Sequence, residues 1–418
     1  MSSRVAMLLV TTALIGGGIA RSIAAEPLAA EVVNIWTGAG ERAAKQVLAD
    51  RFNAAGGKFI DTAVACNTCA VSTTLNRILA GDPPTATQYA ITTDPVDLIN
   101  KGLLADIDDV ATAGHWRDVL PRAVLDGITF NGKVYLVPLD SSAPNWMFYN
   151  IAVLKKAGIE QAPTNFDAAF FTALDKVKAA GFIPVAIGSN GAQYLWIFEA
   201  VMAGLGGKEH WQAVWAKHDA AALNGPLQRS IFDTFRRLGT YTDQGSSGRA
   251  WNPTVNLVIS GQAGFAIMGD WAKGEFEAAG QTPGKEFGCL LPGKIPMFVM
   301  NGDVFGFPTQ TKPEAIKAQK LLAKVVFEPD VQIDFTIKKG AIPARNDIDV
   351  AKTGRFDECS QKASEAYRND AGVVGNVKIF LSPDQSGSLA DLLAEYFNTP
   401  GMSTEEAVGR FASIITNR

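Results

Sequence analysis

Short β-rich runs alternate with helical segments along the first part of the chain. Residues 32–36 form a strand-like run, and residues 41–55 follow as a helical segment with Val47, Leu48 and Phe52 on one face. The alternation continues with a strand at 58–65, a helix at 72–80, a strand at 86–92 and a helix that ends at Lys101. This order predicts an α/β fold in which a mostly parallel sheet is flanked by helices on both faces.

A second alternating series begins after Pro144. Its predicted strands are 182–187 and 264–268, and its predicted helices are 166–177, 195–205, 227–238, 255–259 and 270–279. An apolar, strand-like stretch at 298–308 and a helical tail at 360–418 complete the pattern. We therefore predict two α/β units, with chain crossings at 137–144, near Met300 and near Ala341. The predicted N-terminal lobe is 26–138 with 301–342, and the predicted C-terminal lobe is 139–300 with 343–418.

Residues 1–25 have the composition of a secretory signal peptide. Arg4 precedes an uncharged run at 5–19, and small residues surround Ala24 and Ala25. A membrane anchor is the alternative, but a run of about 15 residues is shorter than the roughly 20 that a spanning helix requires. We predict cleavage after Ala24 or Ala25 and export to the periplasm.

Composition indicates two globular domains and excludes one functional class. The chain has 418 residues, of which 47% are hydrophobic, and this is enough for two full-sized cores. The 38 basic and 42 acidic residues give a net charge of −4. A nucleic-acid partner is therefore excluded, because such a partner requires Lys and Arg to be clustered on one surface.

Four cysteines fit an oxidising compartment. Cys66 and Cys69 form a CxxC motif, which is either redox-active or a small structural disulfide, and we favour the disulfide. Cys289 and Cys359 then remain to close a long loop. One CxxC motif and three scattered histidines do not supply the four ligands of a zinc site, so we expect no metal and no cofactor.

Common catalytic motifs are missing from the sequence. We find no GxSxG elbow, P-loop, HExxH or dinucleotide-binding GxGxxG. This favours a binding protein over an enzyme. Two alternatives remain open: a secreted carbohydrate-active hydrolase, for which a pair of carboxylates suffices, and a receptor module that senses a sugar.

Tryptophans mark several predicted ends of strands and helices. Trp36 follows the first strand, Trp146 lies beside the first crossing, and Trp251 and Trp271 each open a helix. In open α/β sheets, ligands bind outside the carboxyl ends of the strands. A flat indole ring offers a dry platform to the C–H face of a sugar. Packing in the core is the alternative for each tryptophan, and for Trp36 and Trp271 we favour the binding site.

Five segments resemble the glucose/mannose type of extracellular sugar-binding proteins that feed bacterial ABC importers. The Met-Gly-Asp-Trp-Ala-Lys-Gly-Glu-Phe block is the most specific of them. The segments are residues 35–41, 103–110, 145–147, 267–276 and 339–345. The resemblance covers nearly the whole mature chain, and it implies a two-lobed periplasmic binding protein fold of type II with the sugar in the cleft between the lobes. Its implied partners are a sugar ligand and the permease subunits of the importer, and we expect a monomer.

The resemblance also implies a set of binding residues. Trp36 and Trp271 would stack on the sugar or form a wall, with Trp251 as a weaker candidate, while Glu41, Asp303 and Lys339 would bind its hydroxyls. Further candidates from these segments are Thr37, Asn145, Trp146, Asp270 and Arg345, and Gln88 is a candidate from the strand at 86–92.

Two positions depart from the pattern of glucose binders. Ala90 stands where such proteins carry a lysine, and residues 378–380 contain no histidine where such proteins carry one. Both changes remove partners for sugar hydroxyls. The sequence therefore favours a group of similar size that contacts Gln88 or Tyr89, or a larger glycoside, over glucose itself.

Overall fold

The computed structural model describes residues 27–64, 67–189, 192–369 and 372–417. The predicted signal peptide at 1–25 and the predicted disulfide partner Cys66 lie outside the described residues. Among the helices of the described part of the chain, none combines the length and the apolar character that a membrane span requires.

Strands and helices alternate as the hydrophobic pattern predicts. The strands are β1 (Leu28–Asn34), β2 (Gly57–Ala63), β3 (Ala86–Ala90), β4 (Thr129–Phe130), β5 (Lys133–Val134), β6 (Leu136–Pro138), β7 (Trp146–Asn150), β8 (Ile183–Ala186), β9 (Ala263–Met268), β10 (Phe287–Leu290), β11 (Phe298–Met300), β12 (Asp303–Gly306) and β13 (Val373–Gly375). The helices are α1 (Ala39–Ala54), α2 (Asn67–Leu79), α3 (Val96–Asn100), α4 (Asp108–Ala113), α5 (Trp116–Val119), α6 (Arg122–Ile128), α7 (Ile151–Lys156), α8 (Ala168–Ala179), α9 (Gln193–Trp215), α10 (Ala220–Asn224), α11 (Pro226–Leu238), α12 (Trp251–Ile259), α13 (Trp271–Ala278), α14 (Pro313–Val326), α15 (Pro329–Lys339), α16 (Glu358–Arg368), α17 (Pro383–Asn398) and α18 (Thr404–Thr416).

Two larger sheets organise the described residues, which also contain two two-stranded sheets, β11-β13 and β4-β5. The first has the strand order β2-β1-β3-β12-β6, and the second has the order β10-β7-β9-β8. In the first sheet only β12 runs against the others, and in the second only β7 does. The prediction of mostly parallel sheets is therefore confirmed. Each reversed strand comes directly after a segment in which the chain has left the other sheet.

The segments that connect the two sheets lie side by side. The Ser141 amide donates to the Ile342 carbonyl at 2.8 Å, and the Ser142 amide donates to the Asn301 carbonyl at 3.0 Å. We call the first sheet, with α1, α2, α14 and α15, the N-lobe, and the second sheet, with α8, α9, α12 and α13, the C-lobe. Helix α13 belongs to the C-lobe because Phe276 stacks on Phe148 of β7 and on Phe287 of β10. Adjacent thin connections of this kind permit two packed bodies to rotate against each other.

Two clusters of buried apolar residues stabilise the fold. One surrounds the N-lobe sheet and continues across the connecting segments to Trp146 and Trp271. The other lies between the C-lobe sheet and the C-terminal helices, and Trp211 and Trp215 belong to it. The predicted helical tail is confirmed by α16, α17 and α18.

A disulfide joins Cys289 to Cys359, with 6.0 Å between their Cα atoms, which confirms the predicted pairing. Cys289 lies in β10 and Cys359 in the first turn of α16, so the bond ties the tail to the edge of the C-lobe sheet. Cys69 is also disulfide-bonded.

Removing the Cys289–Cys359 bond should lower the free energy of unfolding. The cysteines are separated by 70 residues. Closing a loop of that length lowers the entropy of the unfolded chain, which stabilises the folded state by about 4 kcal/mol. We expect this loss in urea unfolding of the double variant Cys289→Ala, Cys359→Ala. Thiol titration of the denatured, unreduced wild-type protein should find no free thiol. Unchanged stability of the double variant would show that the bond does not constrain the chain.

Candidate functional site

A buried lysine and two carboxylates form a charge cluster at the edge of the N-lobe. Lys339 ends α15, Asp303 begins β12, and Glu41 lies in the first turn of α1. Lys339 Nζ is 3.2 Å from Asp303 Oδ2 and 3.7 Å from Glu41 Oε1. Burial alone would lower the pKa of Lys339, but Asp303, Glu41 and Asp140 raise it above its ordinary value. The lysine is therefore charged, and the carboxylates replace the water that it has lost.

Gly340 fixes the position of Lys339. Gly340 directly follows the last residue of α15 and has a left-handed backbone conformation, with φ at 96°. Glycine adopts this conformation without steric cost. An added Cβ would lie 2.3 Å from the backbone oxygen of Asp270 in the C-lobe. The Lys-Gly pair thus brings the end of α15 directly against the other lobe.

Asp303 connects the ends of three strands. Its Oδ2 accepts a hydrogen bond from Trp36 Nε1 at 3.3 Å, and its Oδ1 accepts from Gln88 Nε2 at 2.7 Å. The amide of Asp303 donates to Asp140 Oδ1 at 2.8 Å. Gln88 Oε1 in turn accepts from the Ile35 amide at 2.9 Å. Trp36, Gln88 and Asp303 therefore form one connected hydrogen-bond network across the neighbouring strands β1, β3 and β12.

Glu41 caps the helix in which it lies. Its Oε2 accepts from the amides of Thr37 at 3.1 Å and Gly38 at 2.9 Å, and the N-terminal end of a helix favours negative charge. Burial raises the pKa of Glu41, while Lys339 and the Gly38 amide act in the opposite direction. The turn at residues 37–41 thereby holds the carboxylate in place beside Lys339.

Three tryptophans of the C-lobe approach this network. The Trp271 ring lies 5.6 Å from Lys339 Nζ and packs edge-on against Trp196, with 4.9 Å between the ring centroids. The Trp251 ring approaches Gly38 so closely that a Cβ there would lie 3.0 Å from it. Polar groups of the N-lobe thus face aromatic side chains of the C-lobe.

Two buried carboxyl groups lie where the lobes join. Asp270 Oδ2 accepts from the Ala143 amide at 2.9 Å, whereas Asp270 Oδ1 and Asp140 Oδ2 have no partner among the described residues. Burial raises the pKa of Asp270 to about 8 and the pKa of Asp140 well above its ordinary value. Asp270 therefore carries a proton at neutral pH for much of the time, which suits it to hydrogen bonding with uncharged polar groups.

Trp36 and Thr37, two other predicted site residues, differ in their exposure to solvent. Trp36 is 1% exposed, and its ring packs on Phe305 and Phe335, with centroids 5.8 Å and 5.5 Å away, within the apolar cluster of the N-lobe. Thr37 is exposed, and its backbone amide contacts Glu41.

Asn145, Trp146 and Arg345 lie outside the network around Asp303. Asn145 is buried and holds β11 through the Met297 carbonyl and the Val299 amide. Trp146 is buried beside Phe148. Arg345 pairs with Asp347 and lines a separate cavity of about 590 Å³.

Asp140, Trp196 and Glu275 were not among the predicted site residues. Asp140 lies within the predicted first crossing, and Glu275 lies within the most specific block of the resemblance, so both had a signal in the sequence. Trp196 lies inside a helix, where nothing in the local sequence distinguishes it from an ordinary packing residue.

Comparison with known proteins gives a consistent family. The sequence profile of the bacterial extracellular solute-binding proteins matches residues 48–356. A probable sugar-binding periplasmic protein of Brucella suis biovar 1 is 35% identical and covers 96% of each chain. A probable sugar-binding periplasmic protein of Rhizobium meliloti is 32% identical and covers 97% of this chain and 98% of its own.

Solved structures with the same fold are also binding proteins. A chitin oligosaccharide binding protein superposes with a TM-score of 0.76 at 18% identity, covering 93% of this chain and 98% of its own. Maltose-bound MalE3 of T. maritima gives a TM-score of 0.76 at 16% identity over the same shares. These likenesses confirm the predicted two-lobed α/β fold. The chain therefore belongs to the bacterial extracellular solute-binding proteins, which are binding proteins and not enzymes.

Proposed function

We propose that this protein binds a mono- or small oligosaccharide between its lobes in the periplasm and delivers it to the permease subunits of an ABC importer. The observation that carries the proposal is the buried Lys339–Asp303–Glu41 cluster opposite Trp271. Fixed charged groups exchange hydrogen bonds with hydroxyls, while an indole face covers the C–H surface of a sugar ring. The relatives from Brucella suis and Rhizobium meliloti, which are named as probable sugar-binding periplasmic proteins, support the same ligand class.

The details of organisation are part of this proposal. Lobe boundaries at 26–138 with 301–342 and at 139–300 with 343–418 agree with the strands that each sheet contains. Cleavage after Ala24 or Ala25 would release the chain as a soluble, monomeric protein.

Glucose itself is not the ligand that we favour. Ala90 pairs directly with Asp303 in the sheet, so a small apolar side chain lies beside the central carboxylate. Phe380, in the tail segment without histidine, is 36% exposed. We propose that the site takes a different ring of similar size or a larger glycoside.

The hydrolase alternative has less support than the binding role. The family profile and the relatives describe solute-binding and sugar-binding proteins. A sensing role would differ from transport in the membrane partner, and copurification with permease subunits distinguishes the two.

A panel of mono- and disaccharides in thermal-shift assays tests the proposal. A ligand at 100 times its Kd should add roughly 2.7 kcal/mol to the apparent stability. Turnover of a glycoside, or no shift with any sugar in the panel, would contradict it.

For the sugar found in this way, Trp271→Leu should weaken binding in calorimetry by roughly ten-fold to one-hundred-fold, because about 1–3 kcal/mol of apolar contact is lost. Trp215→Leu is the matched control, since Trp215 is buried in the C-lobe against Phe411. The control should lower the melting temperature and leave the affinity unchanged. Wild-type affinity for Trp271→Leu would remove Trp271 from the site.

A further inference from the structure

The N-terminus of α1 and helix α13 meet without side chains between them. An added Cβ at Gly40 would lie 2.5 Å from the carbonyl carbon of Gly274, and one at Gly274 would lie 2.6 Å from the Lys338 carbonyl oxygen. Distances this short exclude any residue with a Cβ unless the backbones separate. Because α1 belongs to the N-lobe and α13 to the C-lobe, this contact exists only when the lobes are together.

One side chain bridges the same contact. Glu275, the residue after Gly274, accepts a hydrogen bond from the Gly40 amide through Oε1 at 2.9 Å. Gly40 lies in the first turn of α1, where backbone amides have no acceptor within their own helix. The positive end of the helix dipole also favours a carboxylate at this point. The start of α1 is therefore capped twice, by Glu41 from its own lobe and by Glu275 from the other.

We infer that Glu275 is a positioning residue that stabilises the closed form of the protein by capping α1 across the cleft. Opening of the lobes transfers the Gly40 amide and the Glu275 carboxylate to water, and closing restores their bond. Gly38 takes part in the same fit, since a Cβ there would lie 2.6 Å from Glu275 Oε1. The contact holds the turn that presents Glu41 to Lys339, so closure and the arrangement of the binding site are coupled.

The inference rests on the proposed function, because closure matters here through its effect on sugar binding. Glu275 lies on the face of α13 that contacts α1, and no direct contact with sugar is assigned to it. When only a fraction of the molecules is closed, the apparent Kd rises in inverse proportion to that fraction. A residue that acts in this way changes dissociation, because the bound sugar leaves through the open form.

Glu275→Ala should weaken sugar binding about ten-fold, the effect expected for one hydrogen bond to a charged group. The change should appear in the dissociation rate, with the association rate nearly unchanged. Glu275→Gln keeps an acceptor oxygen without the charge, so its sugar affinity should lie between those of Glu275→Ala and the wild type. Glu314→Ala removes an exposed glutamate of α14 that pairs with Lys317; it is the matched control and should bind as the wild type does. Wild-type affinity and dissociation in Glu275→Ala would overturn the inference and leave the proposed function standing.

A second measurement does not depend on any sugar. Spin labels at Lys101→Cys and Lys217→Cys, two exposed positions, report the distance between the N-terminal and C-terminal parts. Without ligand, Glu275→Ala should shift the distance distribution toward longer distances relative to the labelled wild type. An identical distribution would overturn the inference. If the wild type binds no sugar, the proposed function fails, and the distance distribution alone decides on Glu275.

Gly40→Ala provides an independent steric variant. Its Cβ prevents the approach of Gly274 while every side chain in the contact stays in place, and alanine is favourable within a helix. We expect weaker sugar binding and the same shift to longer distances as in Glu275→Ala. Normal binding together with a normal distance distribution would show that the α1–α13 contact is not part of the closed form.

Discussion

The variant Lys339→Met is expected to lose measurable sugar binding and to unfold more easily than the wild-type protein. Asp303 and Glu41 would then be buried without the cation that compensates them. Removing one partner of a buried ion pair costs about 3–5 kcal/mol. Titration calorimetry should show the loss of binding, and urea unfolding without sugar should show the loss of stability.

A neighbouring lysine offers a matched control for this prediction. Lys338 precedes Lys339 on α15 but is exposed, so Lys338→Met should preserve affinity and change stability little. Adding Asp303→Asn to Lys339→Met removes one of the uncompensated charges and should recover part of the stability without restoring binding. If Lys339→Met binds sugar as the wild type does, the charge cluster is a structural element and the binding site lies elsewhere.

The order of strands and helices could be predicted because the local spacing of hydrophobic and polar residues determines it. The predicted strand at 86–92 corresponds to β3, and the predicted helix at 227–238 corresponds to α11. The helix predicted at 195–205 corresponds to the first part of α9, which breaks at Gly207, where φ is 65°. A second helical part then continues to Trp215.

The hydrophobic pattern did not indicate which sheet each strand joins. The apolar stretch at 298–308 was predicted as one strand, yet the structure divides it into β11 and β12, which belong to different sheets. Gly302 lies between them, where the chain passes close to the first crossing, and an added Cβ there would lie 2.6 Å from the Asp140 carbonyl oxygen. Apolar character alone does not indicate which sheet a short strand joins.

The candidate site illustrates the same limit. Family resemblance suggested Glu41, Asp303 and Lys339, and the fold brings these three residues together from distant parts of the chain. Arg345 followed from the same resemblance, but it lies beside Asp347 in another cavity. Glu275 lies in the most specific block of that resemblance, but the sequence assigned it no role, because its role depends on the approach of two helices that belong to different lobes.

A buried glutamate in the C-lobe should make the stability of the protein depend on pH. Glu199 in α9 is fully buried, and its Oε1 accepts from Asn376 Nδ2 at 3.2 Å and from the Val377 amide at 3.3 Å. Its Oε2 has no partner among the described residues. Burial raises the pKa of Glu199 to about 8, although the Val377 amide and Lys378 oppose the shift.

The sign of the effect follows from proton binding. Between its ordinary pKa of 4.5 and the folded value of about 8, Glu199 keeps its proton in the folded state and loses it in the unfolded state. The folded state then binds more protons, so this residue lowers stability as pH rises through that window. The loss approaches about 1.4 kcal/mol for each pH unit within the window and levels off above it.

Glu199→Gln should therefore gain stability relative to the wild type between pH 5 and pH 8. Glutamine keeps the acceptor oxygen for Asn376 and Val377 and cannot ionise, so the variant escapes the loss that the wild type suffers. Urea unfolding of the sugar-free proteins at both pH values measures the difference, which should reach a few kcal/mol at pH 8. Glu209→Gln, at an exposed position of the same helix, should leave the pH profile of the wild type unaltered. Parallel profiles for Glu199→Gln and the wild type would show that Glu199 is ionised in the folded protein and that its burial is compensated.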